Sequence, residues 1–170
     1  VKQRNKLLNK GLQPHLLTMT ATPIPRTLAL TLHGDLDVSQ LDELPPGRTP
    51  INTQLISPKD KKYAYDLIRS EINKGHQIYV VLPLIEESEK LELSSAVDVH
   101  HQLSTDIFPD FTVELLHGKM KSVEKQDVIR NFLNKKSDIL VSTTVIEVGV
   151  DVPNASVMLI EDSDRFGLAQ

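Results

Sequence analysis

The sequence predicts an α/β protein built on a parallel β-sheet, and three observations support this prediction. Short apolar runs of strand length alternate with longer segments whose apolar residues recur at helical spacing. Strands that alternate with helices form right-handed βαβ units, and such units make a parallel sheet. Hydrophobic residues make up 39% of the 170 residues, which is enough for a buried core.

The first 45 residues predict the end of one α/β domain. A short apolar strand, His15–Thr20, ends in hydroxyl side chains, and Pro23 and Pro25 suit the first turn of a helix that Gly34 ends. The sequence LPPGRTP at positions 44–50 then predicts a stiff, extended connection. We therefore expect residues 1–45 to end a first domain, residues 46–56 to form a linker, and residues 57–170 to form most of a second domain.

The second domain is predicted to alternate strands with helices along its whole length. The five predicted strands are Ile51–Ile56, Gln77–Leu82, Phe111–Leu116, Ile139–Val141 and Ala155–Ile160. A capping sequence at Ser57–Asp60 begins the first helix, and Gly75 ends it. The second helix is predicted near Ser95–Leu103. The third begins near Ser122, with Val128, Ile129, Phe132 and Leu133 on one face.

Composition excludes several classes of protein. The chain has no Cys, so it holds neither disulfides nor thiolate metal sites, and it suits a reducing cytoplasm. Its longest apolar run, Ile78–Ile85, is too short to cross a bilayer, and the N-terminus has no apolar signal segment. We therefore expect no membrane partner. Because the sequence does not begin with Met, we also expect a fragment of a longer protein.

Charge is spread unevenly over a chain whose formal net charge is −4. The segment Lys119–Lys136 carries six basic residues against two acidic ones. Such a segment either contacts a nucleic-acid backbone or forms a solvated helix face, and charge alone does not separate the two interpretations.

The stretch DILVSTTVIEVGVDVP at positions 138–153 is the most informative part of the chain. It begins as a buried strand and continues into two hydroxyls, Thr143 and Thr144, which can donate to phosphate oxygens. Gly149 permits close approach of the backbone to a ligand, and Asp151 can accept from ribose hydroxyls. Because ligands collect beyond the carboxyl ends of parallel strands, the stretch predicts a site for phosphate and ribose. The alternative interpretation is an ordinary turn, in which the threonines cap main-chain groups and the Gly-x-Asp sequence binds no ligand.

A second candidate phosphate site follows Gly118, where Lys119, Lys121 and Ser122 precede or open a helix. A helix N-terminus with adjacent Lys side chains attracts phosphate. The sequence contains no His-x-x-x-His, Gly-x-Ser-x-Gly or Walker A pattern, so we expect no resident metal and no serine nucleophile. If the chain handles ATP, it therefore supplies only half of the site.

Two segments resemble motifs of superfamily 2 helicases. TMTATPIPRTLALT at positions 18–31 resembles motif III, and ILVSTTVIEVGVDVP at positions 139–153 resembles motif V. Within that superfamily the chain is most similar to the RecG family of ATP-dependent DNA helicases. Three further segments carry the resemblance: GDLDVSQLDELPPGRTPI, LLHGKMKSVEK and EDSDRFGLAQ. The transcription-repair coupling translocases share motifs III and V but differ through Asp35–Pro50.

The resemblance implies a motor with two RecA-like lobes, of which this chain holds the end of the first and most of the second. Residues that couple nucleotide state to lobe movement would be Thr20, Ala21, Thr22 and Glu147. Residues that contact the nucleotide would be Gly149 and Asp151. Residues that contact the DNA backbone would be Thr143, Thr144, Lys119, Lys121 and Ser122.

The resemblance also implies cofactors, partners and a location. ATP and Mg²⁺ would serve the longer protein, and forked or branched DNA would be its substrate in fork rescue, recombination and repair. The Walker A lysine, the Asp-Glu-x-His carboxylates, the arginine finger and the DNA-gripping wedge domain would lie outside this chain. We therefore expect the fragment alone to be inactive and open to artefactual self-association. The location would be the bacterial cytoplasm, with the nucleoid.

Three other functions stay open at this point. One is a duplex translocase that does not separate strands, and another is a non-catalytic DNA-binding module built on a helicase-like lobe. The third, a small-molecule-binding doubly wound domain, accounts for the fold but not for the paired motifs.

Overall fold

The computed structural model describes residues 51–83, 89–143 and 152–166, with a few isolated positions before residue 51 and only the backbone at positions 89–92. The chain divides into two compact units, and one of them comprises Ile51–Phe166. The other comprises Val1–Pro50 with Gly167–Gln170 and lies almost wholly outside the described residues. The predicted strand and helix of the first domain fall there. The predicted domain limits stay a prediction.

The larger unit is an α/β domain on a four-stranded parallel sheet, so the predicted fold class is confirmed. Its strands are β1 (Gln77–Val81), β2 (Val113–Leu116), β3 (Ile139–Ser142) and β4 (Ala155–Ile160). Their order in the sheet is β2-β3-β1-β4, and every pair of neighbours is parallel. The central strands β1 and β3 are buried along nearly their whole length, which explains their unbroken apolar sequences.

Helices cover both faces of the sheet. The described helices are α1 (Lys61–Asn73), α2 (Glu89–Gln102) and α3 (Ser122–Leu133). A 3₁₀ turn (Pro58–Asp60) precedes α1, a π-helical turn (Leu103–Ile107) follows α2, and another 3₁₀ turn (Ser163–Arg165) follows β4. None of the helices in the described ranges is long and apolar enough to cross a lipid bilayer.

The core has two parts, one on each face of the sheet. On the first face, Ile68 of α1 and Ala96 of α2 pack with Ile78 and Val80 of β1. On the second face, Phe132 of α3 packs against Tyr79 and Leu140, and the ring centroids of Phe132 and Tyr79 are 5.0 Å apart. Successive strand residues point to opposite faces, so a single apolar run such as β1 supplies both parts of the core.

A buried amide joins the elements at the amino edge of the sheet, where the strands begin. The Gln77 side chain donates to the carbonyls of Phe132 and Ser137 at 2.6 and 2.8 Å, and its oxygen accepts from Asn154 at 3.1 Å. Gln77 is therefore a polar residue whose burial is compensated by hydrogen bonds to α3, to the turn after α3 and to the start of β4.

Three predictions about elements need correction. Ile51–Ile56 was predicted as a strand, but no strand of the described sheet pairs with it, and Leu55 is 94% exposed. An extended segment without a partner strand has no ladder to join. The second helix begins six residues before the predicted Ser95. Leu133 was predicted on the buried face of α3, but it is 48% exposed because the buried stripe ends at Phe132.

Candidate nucleic-acid interface

The carboxyl edge of the sheet, where the strands end, is held together by main-chain hydrogen bonds beyond the strands themselves. Leu82 donates to Ser142 at 2.9 Å, Thr143 donates to Leu116 at 3.2 Å, and Glu161 donates to Val81 at 3.0 Å. These bonds connect the four strand ends, so polar groups at this edge are carried on a fixed frame.

Thr143 lies at this edge, directly after β3, and is 1% exposed. Among the described residues its hydroxyl has no hydrogen-bond partner. The main-chain bond to Leu116 continues the ladder by one residue, so the alternation of β3 places the Thr143 side chain on the side of Val141. A buried hydroxyl without a partner destabilises the fold, and a ligand oxygen at this edge would relieve that cost.

The neighbouring strand β2 ends in the loop His117–Lys121, which is tied to α3 by short contacts. Met120 N–H donates to the His117 carbonyl at 3.2 Å, and the Lys125 ammonium donates to the Gly118 carbonyl at 2.7 Å. The loop therefore has a defined shape, and it holds the exposed Lys119 and Lys121 side chains beside the end of β2.

The N-terminus of α3 has an unusual cap. Its N-cap residue is Lys121, whose ammonium has no lone pair to offer the first-turn N–H groups. The Glu124 carboxylate accepts from Lys121 N–H at 2.8 Å, so only that half of a capping box is present. The first-turn N–H groups of Ser122 and its neighbours receive no side-chain cap, and their partial positive charge is left for an anion.

Thr143 and the set Lys119, Lys121 and Ser122 lie at the ends of adjacent strands, on one edge of the sheet. The Thr143 side chain is on the face that carries α1 and α2, whereas α3 packs on the other face. The other predicted site residues lie outside the described residues: Thr20, Ala21, Thr22, Thr144, Glu147, Gly149 and Asp151.

Val152, near the end of the 138–153 stretch, lies at the other edge of the sheet from Thr143. Val152 accepts from Ala155 N–H at 2.9 Å, and Asn154 accepts from Gln77 N–H at 2.9 Å. Both bonds are at the amino edge, where β4 and β1 begin. Along β4 the two edges are separated by about 16 Å, at about 3.3 Å a residue. The stretch therefore runs from one edge to the other.

Sequence reasoning missed a polar cluster at the carboxyl ends of β1 and β4. The Lys61 ammonium contacts the Glu161 carboxylate at 2.8 Å, and this hydrogen bond raises the pKa of Lys61. Tyr65 lies nearby, and burial raises the pKa of its phenol. Lys61 and Glu161 are 100 residues apart in the sequence, so no local sequence pattern predicts their contact.

Within the ranges that the structure describes, no group of three or more His, Cys, Asp and Glu side chains is placed to hold a metal ion. At the carboxyl edge the structure places hydroxyls, ammonium groups, the Glu161 carboxylate and uncapped main-chain N–H groups. A site of this composition binds phosphate oxygens, and the class of protein it defines is an α/β domain that contacts a phosphate-bearing ligand.

Comparison with known proteins identifies the family. The model for the helicase conserved C-terminal domain matches residues 60–170, so the chain belongs to that family. The chain is 61% identical over its whole length to the ATP-dependent DNA helicase RecG of Synechocystis and 51% identical to that of Thermotoga maritima. The resemblance to RecG, expected from the motifs, is thereby confirmed. The chain spans 20% and 22% of those two relatives, about a fifth of their length.

A solved structure of RecG bound to a three-way DNA junction superposes on this chain with a TM-score of 0.70. The two sequences are 46% identical, and the match covers 88% of this chain and 19% of that one. The sheet and its helices are therefore those of a RecA-like helicase lobe, as the motifs predicted.

Proposed function

We propose that this chain is part of the motor of an ATP-dependent DNA helicase, and that the carboxyl edge of its sheet contacts the DNA backbone. The observation that carries the proposal is the buried Thr143 hydroxyl, which lies at the end of β3 and has no partner among the described residues. The exposed Lys121 and the uncapped first turn of α3 lie at the end of the next strand.

The longer protein would unwind or branch-migrate forked DNA and Holliday junctions in fork rescue, recombination and repair. The junction-bound RecG relative supports DNA as the partner, and the resemblance to RecG supports the finer role. Its location would be the bacterial cytoplasm, with the nucleoid. Strand separation distinguishes this function from that of a duplex translocase.

ATP with Mg²⁺, when bound to the longer protein, supplies phosphoryl transfer to water. Gly149 and Asp151 would contact the nucleotide, while Thr20, Ala21, Thr22 and Glu147 would couple its state to lobe movement. Thr143 and Thr144 would hold a phosphate at the carboxyl edge, with Lys119, Lys121 and Ser122.

The test compares DNA-stimulated ATP hydrolysis by the full-length protein with that of its Thr143→Val variant. Valine keeps the shape of threonine and removes only the hydroxyl, so the folded state is kept or stabilised. We expect DNA to bind more weakly, with stimulation reaching half its maximum at about tenfold more branched DNA, because one charge-assisted hydrogen bond is lost.

The matched control is Thr112→Val, an exposed threonine just before β2 at the amino edge. That variant should be stimulated like the unmodified protein. Equal stimulation of all three proteins at every DNA concentration would show that the Thr143 hydroxyl does not contact DNA. Absence of any DNA stimulation in the unmodified protein would favour the non-catalytic binding module.

A further inference from the structure

A cavity of about 170 Å³ opens at the carboxyl ends of β1 and β4, on the same edge of the sheet as Thr143 but lined by other residues. Its apolar floor consists of Leu82 and Pro83, which follow β1, and of Val99 in α2 and Leu103 in the π-helical turn. Cavities of about 150 Å³ hold a single benzene ring. The apolar floor and the volume of the cavity therefore suit one flat, ring-shaped ligand.

The wall of the cavity is polar. Tyr65, Ser95 and Gln102 line it, and within the described part of the chain their side chains make no hydrogen bonds. Two hydroxyls and an amide together offer donors and acceptors around the apolar floor of the cavity. A purely apolar ligand would leave these groups without water and without partners, which is unfavourable. The ligand that fits carries its own donors and acceptors at its edge.

Charged groups of both signs surround the opening. One Glu161 oxygen accepts from Lys61 at 2.8 Å, so the other oxygen is left to accept from a ligand. Arg165 is exposed and lines the same cavity, and Asp162 follows β4 in a left-handed conformation with φ of +46°. Carboxylates that accept from amino groups and an arginine that meets phosphate are the pairing seen where proteins bind nucleotides.

We propose that this cavity is a nucleobase site. The apolar floor of the cavity and the Tyr65 ring would contact the flat face of the nucleobase. Gln102 and Glu161 would form hydrogen bonds with the edge of the nucleobase. The inference rests on the proposed function for the source of the base, which is a DNA strand already held at the Thr143 edge. Thr143 follows β3, so in the order β2-β3-β1-β4 it is at most two strand spacings from the cavity at β1 and β4, about 10 Å. A single strand crosses that distance in a few nucleotides.

The test uses a set of twelve-nucleotide single strands, each with 2-aminopurine at one position, and the full-length protein. Fluorescence anisotropy of an end label reports binding, and 2-aminopurine emission reports the surroundings of one base. The blocking variant is Ser95→Leu, which places an apolar side chain in the cavity. The matched control is Ser94→Leu, because Ser94 is the adjacent exposed serine of α2 and does not line the cavity.

We expect 2-aminopurine emission to change at one or two positions of the strand, and Ser95→Leu to abolish that change. Ser95→Leu should also weaken binding of the strand about tenfold, the scale of one stacked base. Ser94→Leu should behave like the unmodified protein. A parallel experiment with 2-aminopurine riboside triphosphate distinguishes a DNA base from the base of a free nucleotide. The emission change of the ligand that enters the cavity is lost in Ser95→Leu, and the emission of the other ligand is the same in both proteins.

If strands bind but neither probe responds to Ser95→Leu, the cavity is not a nucleobase site and the proposed function is unaffected. If no strand binds to the unmodified protein at all, the proposed DNA contact itself is wrong and a DNA base in this cavity is excluded with it.

Discussion

At the scale of single residues, two helices end in the same hydrogen-bonded turn with different residues at its critical position. After α1 the position is taken by Gly75, with φ of +87°, and after α3 by Lys135, with φ of +56°. In both turns the next residue, His76 or Lys136, donates to a carbonyl five residues back at 3.1 or 2.9 Å. This is a Schellman motif, and its left-handed position favours glycine.

We expect Lys135→Gly to raise the free energy of unfolding by about 0.5–1 kcal/mol, because it removes the strain of a side chain at positive φ. Gly75→Ala should lower the free energy of unfolding by about 1 kcal/mol, because it introduces a side chain at positive φ. Steric contact adds nothing to this cost, since a β-carbon there meets no atom within 4 Å. Urea unfolding measures both. The control is Lys136→Gly, whose φ is not positive, and a stabilisation equal to that of Lys135→Gly would contradict the explanation.

Glu71 is the residue whose protonation is most strongly shifted among the described groups. Hydrogen bonds from Lys74, then His76 and Ser156, lower the pKa of its carboxyl from 4.5 to about 2. The folded state therefore binds this proton less readily than the unfolded chain does. The stabilisation is present above about pH 4.5 and is lost as the pH falls to about 2.

We expect Glu71→Gln to melt at a lower temperature than the unmodified protein at pH 6, with the difference shrinking as the pH approaches 2. Thermal unfolding followed by circular dichroism at pH 6, 4.5, 3 and 2 measures this. Asp66→Asn, at an exposed position of the same helix, is the control and should show no such trend. A temperature difference that stays constant down to pH 2 would show that the Glu71 carboxylate is not the cause.

At the scale of elements, Gln77 joins α3, the turn that follows it and the start of β4 through one buried amide. We expect Gln77→Leu to lower the free energy of unfolding by about 1–3 kcal/mol, because the buried Ser137 carbonyl loses its partner. The Phe132 carbonyl and the Asn154 amide each lose one of two hydrogen bonds, since they keep those with Lys135 and Gly75. Urea unfolding of the variant beside Gln126→Leu, at an exposed position of α3, measures the difference. Equal losses in the two variants would mean that the buried hydrogen bonds contribute nothing specific.

The elements that were predicted correctly are those whose signals are local. The apolar run of β4 and the glycine after α1 each lie in a few consecutive residues, and both predictions are confirmed. Ile51–Ile56 carries an equally good strand pattern and is not a strand in the structure. A strand needs a neighbour, and no pattern within six residues says whether one is available.

The candidate site divides in the same way. Lys121 and Thr143 are predicted as site residues from sequence because Lys121 directly precedes a recognisable helix and Thr143 directly follows a recognisable strand; their role stays a prediction. The cavity was not predicted, since its lining comes from α1, α2, the π-helical turn, the last 3₁₀ turn and the ends of β1 and β4, and its Lys61–Glu161 pair is 100 residues apart.

At the scale of the whole molecule, the stretch from Thr143 to Val152 connects the two edges of the sheet. Thr143 is fixed at the carboxyl edge by Leu116, and Val152 is fixed near the amino edge by Ala155. In the proposed function the first of these edges, where Thr143 lies, contacts DNA.

Apolar surface on β4 bears on the behaviour of the chain outside a longer protein. Met158 and Ile160 are 58% and 46% exposed, on the sheet face that carries α3. Side chains of this kind favour association between molecules, so self-association of the isolated chain stays an expectation.

We expect the isolated chain to hydrolyse no ATP above background, with or without branched DNA. Hydrolysis needs a loop that cradles the phosphates and carboxylates that hold Mg²⁺, and the sequence contains no Walker A pattern to supply the first. Phosphate release from the purified chain, measured beside the full-length protein at equal concentration, tests this. Release that persists through purification and disappears in Asp151→Ala would prove that the chain holds a complete site. Silence from the chain together with DNA-stimulated release by the full-length protein would place the missing half of that site elsewhere in the longer protein.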